Sequence, residues 1–358
     1  MSKEREHLYL HEIAKRSRNL NKKIGKYVLE VYDVLEVIVK EYMERKRNDQ
    51  TGNPSLISIL IEHFTAIFWS LKLHLKFHRD ATATSEDDAE ADKKLKDMAR
   101  WELVCLTADD MNEDPDEKNV IDPGSKILEI VSVITSSKDL PEGSKAHADE
   151  VMAQVTALFR SFNSLNVFKP EALAVVSHNN KSFVGASIAV SNFLRPLYLH
   201  KRIADFKKPR LREAIIFHQP LNTEDTQDWT SEAINIMGTY KPACTNCRRT
   251  FERLSGFVPE TEPVDGKNRT FLGACAEFCP VDKLLHDETN ASDGQEIGNR
   301  LQRNLERCLT YFTKFNAISK QCQDAEDSKD IQKIREVYTQ IHPTVHIFGR
   351  IPDCNDRF

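Results

Sequence analysis

The sequence predicts a mainly α protein: a helical bundle with a small central β-sheet and a cysteine-rich zinc module. Three observations carry this expectation: long stretches with apolar residues at helical spacing, two β-branched runs around an Asn-containing turn, and four cysteines in two close pairs. The chain has 358 residues, more than the roughly 250–300 at which a single hydrophobic core stops growing. We therefore predict several units: a helical region at 1–120, a mixed α/β region at 121–220, a cysteine module at 221–290 and helices at 291–358.

Composition narrows the functional classes. A formal net charge of -5 disfavours a chain that coats nucleic acid, because phosphate binding needs a basic surface field. The most apolar stretch, 56–75, contains Glu62 and Lys72, so we expect it to be a buried core helix and not a membrane span. The N-terminus has no apolar segment typical of a secretory signal, which predicts a cytoplasmic or nuclear protein. Because such a compartment is reducing, we expect the eight cysteines of the chain to be core residues, metal ligands or reactive thiols, and not a disulfide framework.

The N-terminal region carries the clearest helical pattern. Its apolar positions alternate steps of four and three, which places them on one stripe of a helix: Ile24, Val28, Val31, Leu35, Ile38 and Tyr42. We predict one long helix or two in series over 7–46, packed within an intramolecular bundle; a coiled-coil seam is the alternative. The acidic run 85–92 is expected to be a solvated loop.

The middle of the chain indicates a small sheet. Apolar β-branched runs flank Asn179 and Asn180, which predicts a β-hairpin over 172–190. The run 213–218 is a candidate third strand. Helical spacing returns near the C-terminus, where Cys308 falls on an apolar stripe and is best explained as a core residue.

Four cysteines form the most chemically specific pattern in the chain. Cys244, Cys247, Cys275 and Cys279 follow a C-x2-C-x27-C-x3-C spacing. Two residues between thiolates let one turn aim both sulfurs at a single ion, and a second pair from a distant segment completes a tetrahedron. We therefore predict a zinc site. Reduced core cysteines and a redox pair formed by Cys244 and Cys247 are the alternatives.

The same residues resemble a known family. Cys275-Ala-Glu277 resembles the C-A-E form of the zinc signature in the cytidine-deaminase-like superfamily, and Pro242-Ala-Cys244-Thr-Asn-Cys247 resembles its P-C-x-x-C signature, with the two motifs in reversed order. The resemblance implies that Cys244, Cys247 and Cys275 bind zinc and that Glu277 moves protons for a zinc-bound water. The hairpin predicted at 172–190 is similar to the family's opening hairpin.

Cys279 separates two functional expectations. If it is a fourth ligand, the site is closed and structural, and the protein is a helical scaffold or interaction protein. If it points away, the fourth position is open, and the chain is a zinc-dependent deaminase-like hydrolase acting on a nucleobase or related amidine, with Glu277 catalytic. Pro280 fits a helix that starts just after Cys279, which favours the structural zinc.

A basic segment adjoins the first cysteine pair. Arg248, Arg249 and Arg253 could bind an anionic ligand near the metal if they meet a second basic stretch at 201–212. No P-loop, dinucleotide glycine fingerprint or G-x-S-x-G elbow is present in the sequence, which disfavours several large enzyme classes.

Overall fold

The computed structural model shows a mainly helical protein with a three-stranded antiparallel sheet. The coarse fold prediction is confirmed. The structure describes, apart from isolated positions elsewhere, residues 24–44, 54–79, 86–104, 120–136, 140–162, 167–190, 195–223, 228–257 and 272–286.

The first helix, α1, covers the described residues 24–44. All six side chains of its predicted stripe are buried, from Ile24 to Tyr42, so the helical prediction is confirmed there. Residues 7–23 lie outside the described part of the chain.

The second helix, α2, spans Pro54–Arg79 and includes the most apolar stretch of the sequence. By length and composition alone, the segment Leu56–Lys76, with a mean hydropathy of 1.5, could cross a membrane. A core helix meets the same criteria, and here Leu60 and Phe64 are fully buried. The helix packs along α4, which is Pro123–Thr135. The cellular compartment stays a prediction.

The acidic loop predicted at 85–92 is wrong, because residues 86–92 form the first half of α3, Glu86–Met98. Ala91, Leu95 and Met98 are buried at helical spacing, although only a few apolar residues mark this face. Acidic side chains in a first turn also favour a helix, because they complement the positive end of its dipole.

Two further helices support the sheet. Helix α4 has Asp122 at its N-cap, and α5, Lys145–Ser161, has Ser144. Each cap side chain accepts hydrogen bonding from the first turn, whose backbone N–H groups have no partner within the helix. Helices α4 and α5 pack together, and α5 also contacts both strands of the hairpin.

The predicted hairpin is confirmed. Strands β1, Leu173–His178, and β2, Lys181–Ala186, pair antiparallel around Asn179 and Asn180. Both asparagines have positive φ, at 50° and 63°, the conformation that a two-residue hairpin turn requires. The third strand, β3, is Thr230–Ile234 and pairs antiparallel with β1, giving the sheet order β2-β1-β3.

The third strand predicted at 213–218 is wrong. Residues 213–216 form the end of α7, Pro209–Ile216, and residues 217 and 218 lie in the turn after it. Helix α7 follows α6, Arg195–Asp205. Pro209 stands at the start of α7, where its missing N–H costs no helical hydrogen bond. A short apolar run does not distinguish a buried helix from a strand by periodicity alone.

The elements near the cysteines are short. Helix α8 is Thr245–Thr250, a 3-10 turn covers Ser255–Phe257, and α9 is Phe278–Leu284. Helix α9 packs against β2 and β1. The helices predicted for 291–358 and the burial predicted for Cys308 fall almost entirely outside the described residues, and the proposed domain boundaries stay a prediction.

Candidate metal centre

The first two cysteines lie at the start of α8. Cys244 is the N-cap residue, and its Sγ accepts a hydrogen bond from the backbone N–H of Cys247 at 3.4 Å. This turn aims both side chains to the same side. Cys247 is fully buried, and Cys244 is partly exposed.

The third cysteine belongs to a segment that is fixed against the sheet. The carbonyl of Ala274, one residue before Cys275, accepts a hydrogen bond from the Ile188 N–H at 3.0 Å. The next turn approaches β2 so closely that a Cβ on Gly185 would lie 2.1 Å from the Ala276 carbonyl oxygen. Glycine at position 185 is therefore what lets this segment reach the sheet.

The structure brings Cys244, Cys247 and Cys275 together. Their sulfurs all lie within 4.8 Å of one another, and those of Cys244 and Cys275 are 3.3 Å apart. Sulfurs that share a tetrahedral zinc at about 2.3 Å are separated by about 3.8 Å, so small shifts would fit these thiols to one ion. The donor set, three thiols in a largely buried site, could therefore hold zinc.

The protonation of these thiols is linked to metal binding. Burial is the main cause that raises the pKa of Cys247 well above its usual value, and hydrogen bonding to Cys244 is the main cause for Cys275. A metal must displace these protons to bind thiolates. Metal affinity should consequently rise with pH.

Cys279, the predicted fourth ligand, does not belong to this group of thiols. It lies in the first turn of α9, and burial raises the pKa of its thiol. The charges that act on it come mainly from Arg202 and Glu129, and none of the three clustered cysteines is among them. Only three residues separate Cys275 from Cys279 in the sequence, but the turn into α9 directs their sulfurs to different surroundings.

Glu277 lies beside the three thiols. It occupies the N-cap position of α9 without using its carboxyl group as a cap, and the side chain is 5% exposed. Burial, with a smaller contribution from the charge of Cys244, raises the pKa of Glu277 to about 7. A carboxyl group with such a pKa can release and take up a proton near neutral pH.

A pocket connects this site with solvent. Its lining includes Cys244, Cys275 and Glu277 together with three charged side chains, Glu171, Arg195 and Lys241. Lys241 is close enough that its positive charge partly offsets the raised pKa of the Glu277 carboxyl group. A small ligand in the pocket could contact a metal, the Glu277 carboxyl group and a cation at once.

The predicted basic residues occupy another surface. Arg253 donates a hydrogen bond to Asn222 Oδ1 at 2.6 Å, and Arg210, from the second basic stretch, donates to the Asn222 carbonyl at 3.3 Å. The two basic stretches thus meet at Asn222. Arg248, Arg249 and Arg253 are not among the residues that line the pocket.

A buried ion pair that sequence reasoning missed supports the Cys275 segment. Arg202 donates to Asp122 Oδ2 at 2.7 Å, to the Ala186 carbonyl at 3.0 Å and to the Ala274 carbonyl at 3.4 Å. It therefore joins α6, the cap of α4, the end of β2 and the approach to Cys275. No sequence signal pairs Arg202 with a carboxylate 80 residues away. The pocket residues Arg195 and Lys241 were also missed, although Lys241 adjoins the Pro242 that opens the first cysteine motif.

Comparisons with protein families, curated proteins and solved structures find no match to this chain.

Proposed function

We propose that this protein is a zinc-dependent hydrolase of the deaminase type, acting on a nucleobase or a related amidine. The observation that carries the proposal is the placement of Glu277, whose buried carboxyl group lies beside three clustered thiols that Cys279 does not join. Three protein ligands leave a fourth position open, and catalytic zinc sites have that arrangement. An open fourth position supports the catalytic alternative over the structural zinc that the sequence favours.

Each residue of the site would have a separate role. Cys244, Cys247 and Cys275 would hold the ion, and zinc in such a site supplies a water of lowered pKa. Glu277 would take a proton from the nucleophile and return it to the leaving amine. A small pocket of about 50 Å³ is lined by Cys244, Cys275 and Glu277, and a substrate of nucleobase size would have to widen it to reach these groups.

The test begins with metal content. We expect about one zinc per chain by elemental analysis, lost when Cys244 or Cys275 is replaced by serine. Ammonia release is then measured with cytosine, adenine and guanine compounds as bases, nucleosides and nucleotides. Glu277→Gln should keep the fold and the zinc and lower turnover by about 10²- to 10⁴-fold.

Glu30→Gln is the matched control. Glu30 is also 5% exposed, and its carboxylate accepts hydrogen bonds from the backbone N–H groups of Val167 and Phe168, away from the thiols. This change should affect stability without a specific loss of turnover. A zinc-loaded protein that releases no ammonia from any of these compounds, and loses zinc on Cys279→Ser, would support the structural-zinc alternative instead.

A further inference from the structure

The pocket is lined by two positive side chains and two carboxyl groups. Arg195 and Lys241 are the cations, and Glu171 and Glu277 carry the carboxyl groups. The Arg195 Nη2 lies 3.9 Å from Glu171 Oε1, so these two side chains are within ion-pair reach of each other. The Lys241 ammonium group donates a long hydrogen bond, 3.4 Å, to the Glu171 backbone carbonyl. Among the residues that the structure describes, no carboxylate oxygen lies within 4.0 Å of the Lys241 nitrogen.

The backbone of Lys241 is held in place. Its N–H donates to the Ala233 carbonyl at 2.8 Å, which ties residue 241 to β3. The connection before it is closed by Asn235, whose Oδ1 accepts from the N–H groups of Met237 and Thr239 at 3.0 and 2.9 Å. Lys241 also precedes Cys244 by three residues. The backbone of residue 241 is thus fixed close to the first cysteine motif, and its ammonium group has no carboxylate oxygen within ion-pair distance among the described residues.

We propose that Lys241, assisted by Arg195, binds a phosphate group of the substrate, so that the pocket takes a nucleoside monophosphate in preference to a nucleoside or free base. The inference rests on the proposed function for the identity of the base. Lysine binds phosphate as a point charge, and a charge-assisted hydrogen bond is about twice as strong as a neutral one.

The charge distribution favours a single nucleotide over a polynucleotide. A nucleic acid strand needs cations that follow its backbone over several phosphates. Here Glu171 lies beside the two pocket cations, and Arg248, Arg249 and Arg253 do not line the pocket. The net charge of -5 also opposes binding of a long polyanion.

The experiment measures binding to the zinc-loaded Glu277→Gln protein by calorimetry, so that turnover does not interfere. The probes are the 5′-monophosphates of cytidine, adenosine and guanosine, the matching nucleosides, and a single-stranded oligonucleotide. We expect at least one monophosphate to bind about 10- to 100-fold more tightly than its nucleoside, the range of a charged hydrogen bond. Adding Lys241→Met should remove that preference, and Lys241→Arg should retain it.

Lys93→Met is the control, because Lys93 is exposed on α3 and pairs only loosely with Glu90, at 3.8 Å. It should leave the preference unchanged. Equal affinity for nucleotide and nucleoside, no binding of any monophosphate, or tighter binding of the oligonucleotide would overturn the inference. Deamination of nucleosides without a phosphate preference would remove the phosphate site and leave the proposed function standing. A preference for monophosphates that depends on Lys241, in a protein without deaminase activity, would support the phosphate site and contradict the proposed function.

Discussion

Replacing Gly185 by alanine tests how the sheet positions the metal site. The new Cβ would lie 2.1 Å from the Ala276 carbonyl oxygen and 2.5 Å from Pro280 Cδ. Carbon atoms normally stay about 3.5 Å or more from such neighbours, so strand and turn must separate by about 1 Å. Overpacking of this kind typically costs about 1–3 kcal/mol. The displaced turn also carries Cys275 and Glu277.

A shift of that size exceeds what a zinc site accepts, since ligand distances vary by only about 0.2 Å. We therefore expect Gly185→Ala to lower the free energy of unfolding of the metal-free protein by about 1–3 kcal/mol and to weaken zinc binding at least about 10-fold. Urea unfolding with a chelator present gives the first quantity, and competition with a chromogenic chelator gives the second. The control is Gly298→Ala, where an added Cβ meets nothing within 4 Å. Wild-type zinc affinity in a destabilised Gly185→Ala protein would refute the reasoning.

Three further predictions concern the surrounding structure. Arg202→Met should cost about 3–5 kcal/mol in urea unfolding, because it leaves the buried carboxylate of Asp122 without its positively charged partner; adding Asp122→Asn should recover part of the loss, and simple additivity of the two changes would contradict this. Burial lowers the pKa of His200 to about 4, against about 6.5 in the unfolded chain, so the unfolded state binds more protons between these values. Stability should therefore fall by up to about 3 kcal/mol as the pH drops from 6.5 to 4, and a urea midpoint as pH-dependent in His200→Asn as in the wild type would exclude this origin. Finally, Cys279→Ser should keep its zinc while Cys244→Ser loses it, as measured by elemental analysis after dialysis.

The helices and the hairpin could be predicted because their signals are local. The stripe from Ile24 to Tyr42 repeats at helical spacing, and Asn179 and Asn180 suit the positive φ of a tight turn. Strand β3 has no such signal, since Thr230–Ile234 mixes polar and apolar residues. The four consecutive apolar residues within 213–218 are more typical of a strand than the sequence of β3 is. In the structure, however, the buried residues of this run lie on helix α7.

The candidate site could be predicted only in part. Spacing identified the three cysteines that converge, but the interval between Cys275 and Cys279 is compatible with shared and with separate surroundings. Whether the two sulfurs share their surroundings depends on the turn into α9. The position of that turn is set by its contacts with Gly185 and with the ion pair of Arg202 and Asp122. Those residues lie 73 to 153 positions before Cys275 in the chain, and no local pattern links them to it.

The reversed order of the two cysteine motifs has a structural explanation in the sheet. Helix α8 follows β3, which pairs with β1, while the segment with Cys275 and Glu277 is held against β2 on the other side of β1. Each motif therefore takes its position from the strand it adjoins and not from its place along the chain. Because the strands fix those positions, either motif could come first in sequence and the thiols would still meet. The reversed order is therefore compatible with the proposed catalytic site, and the two functional alternatives differ in the number of cysteine ligands that a bound zinc would have.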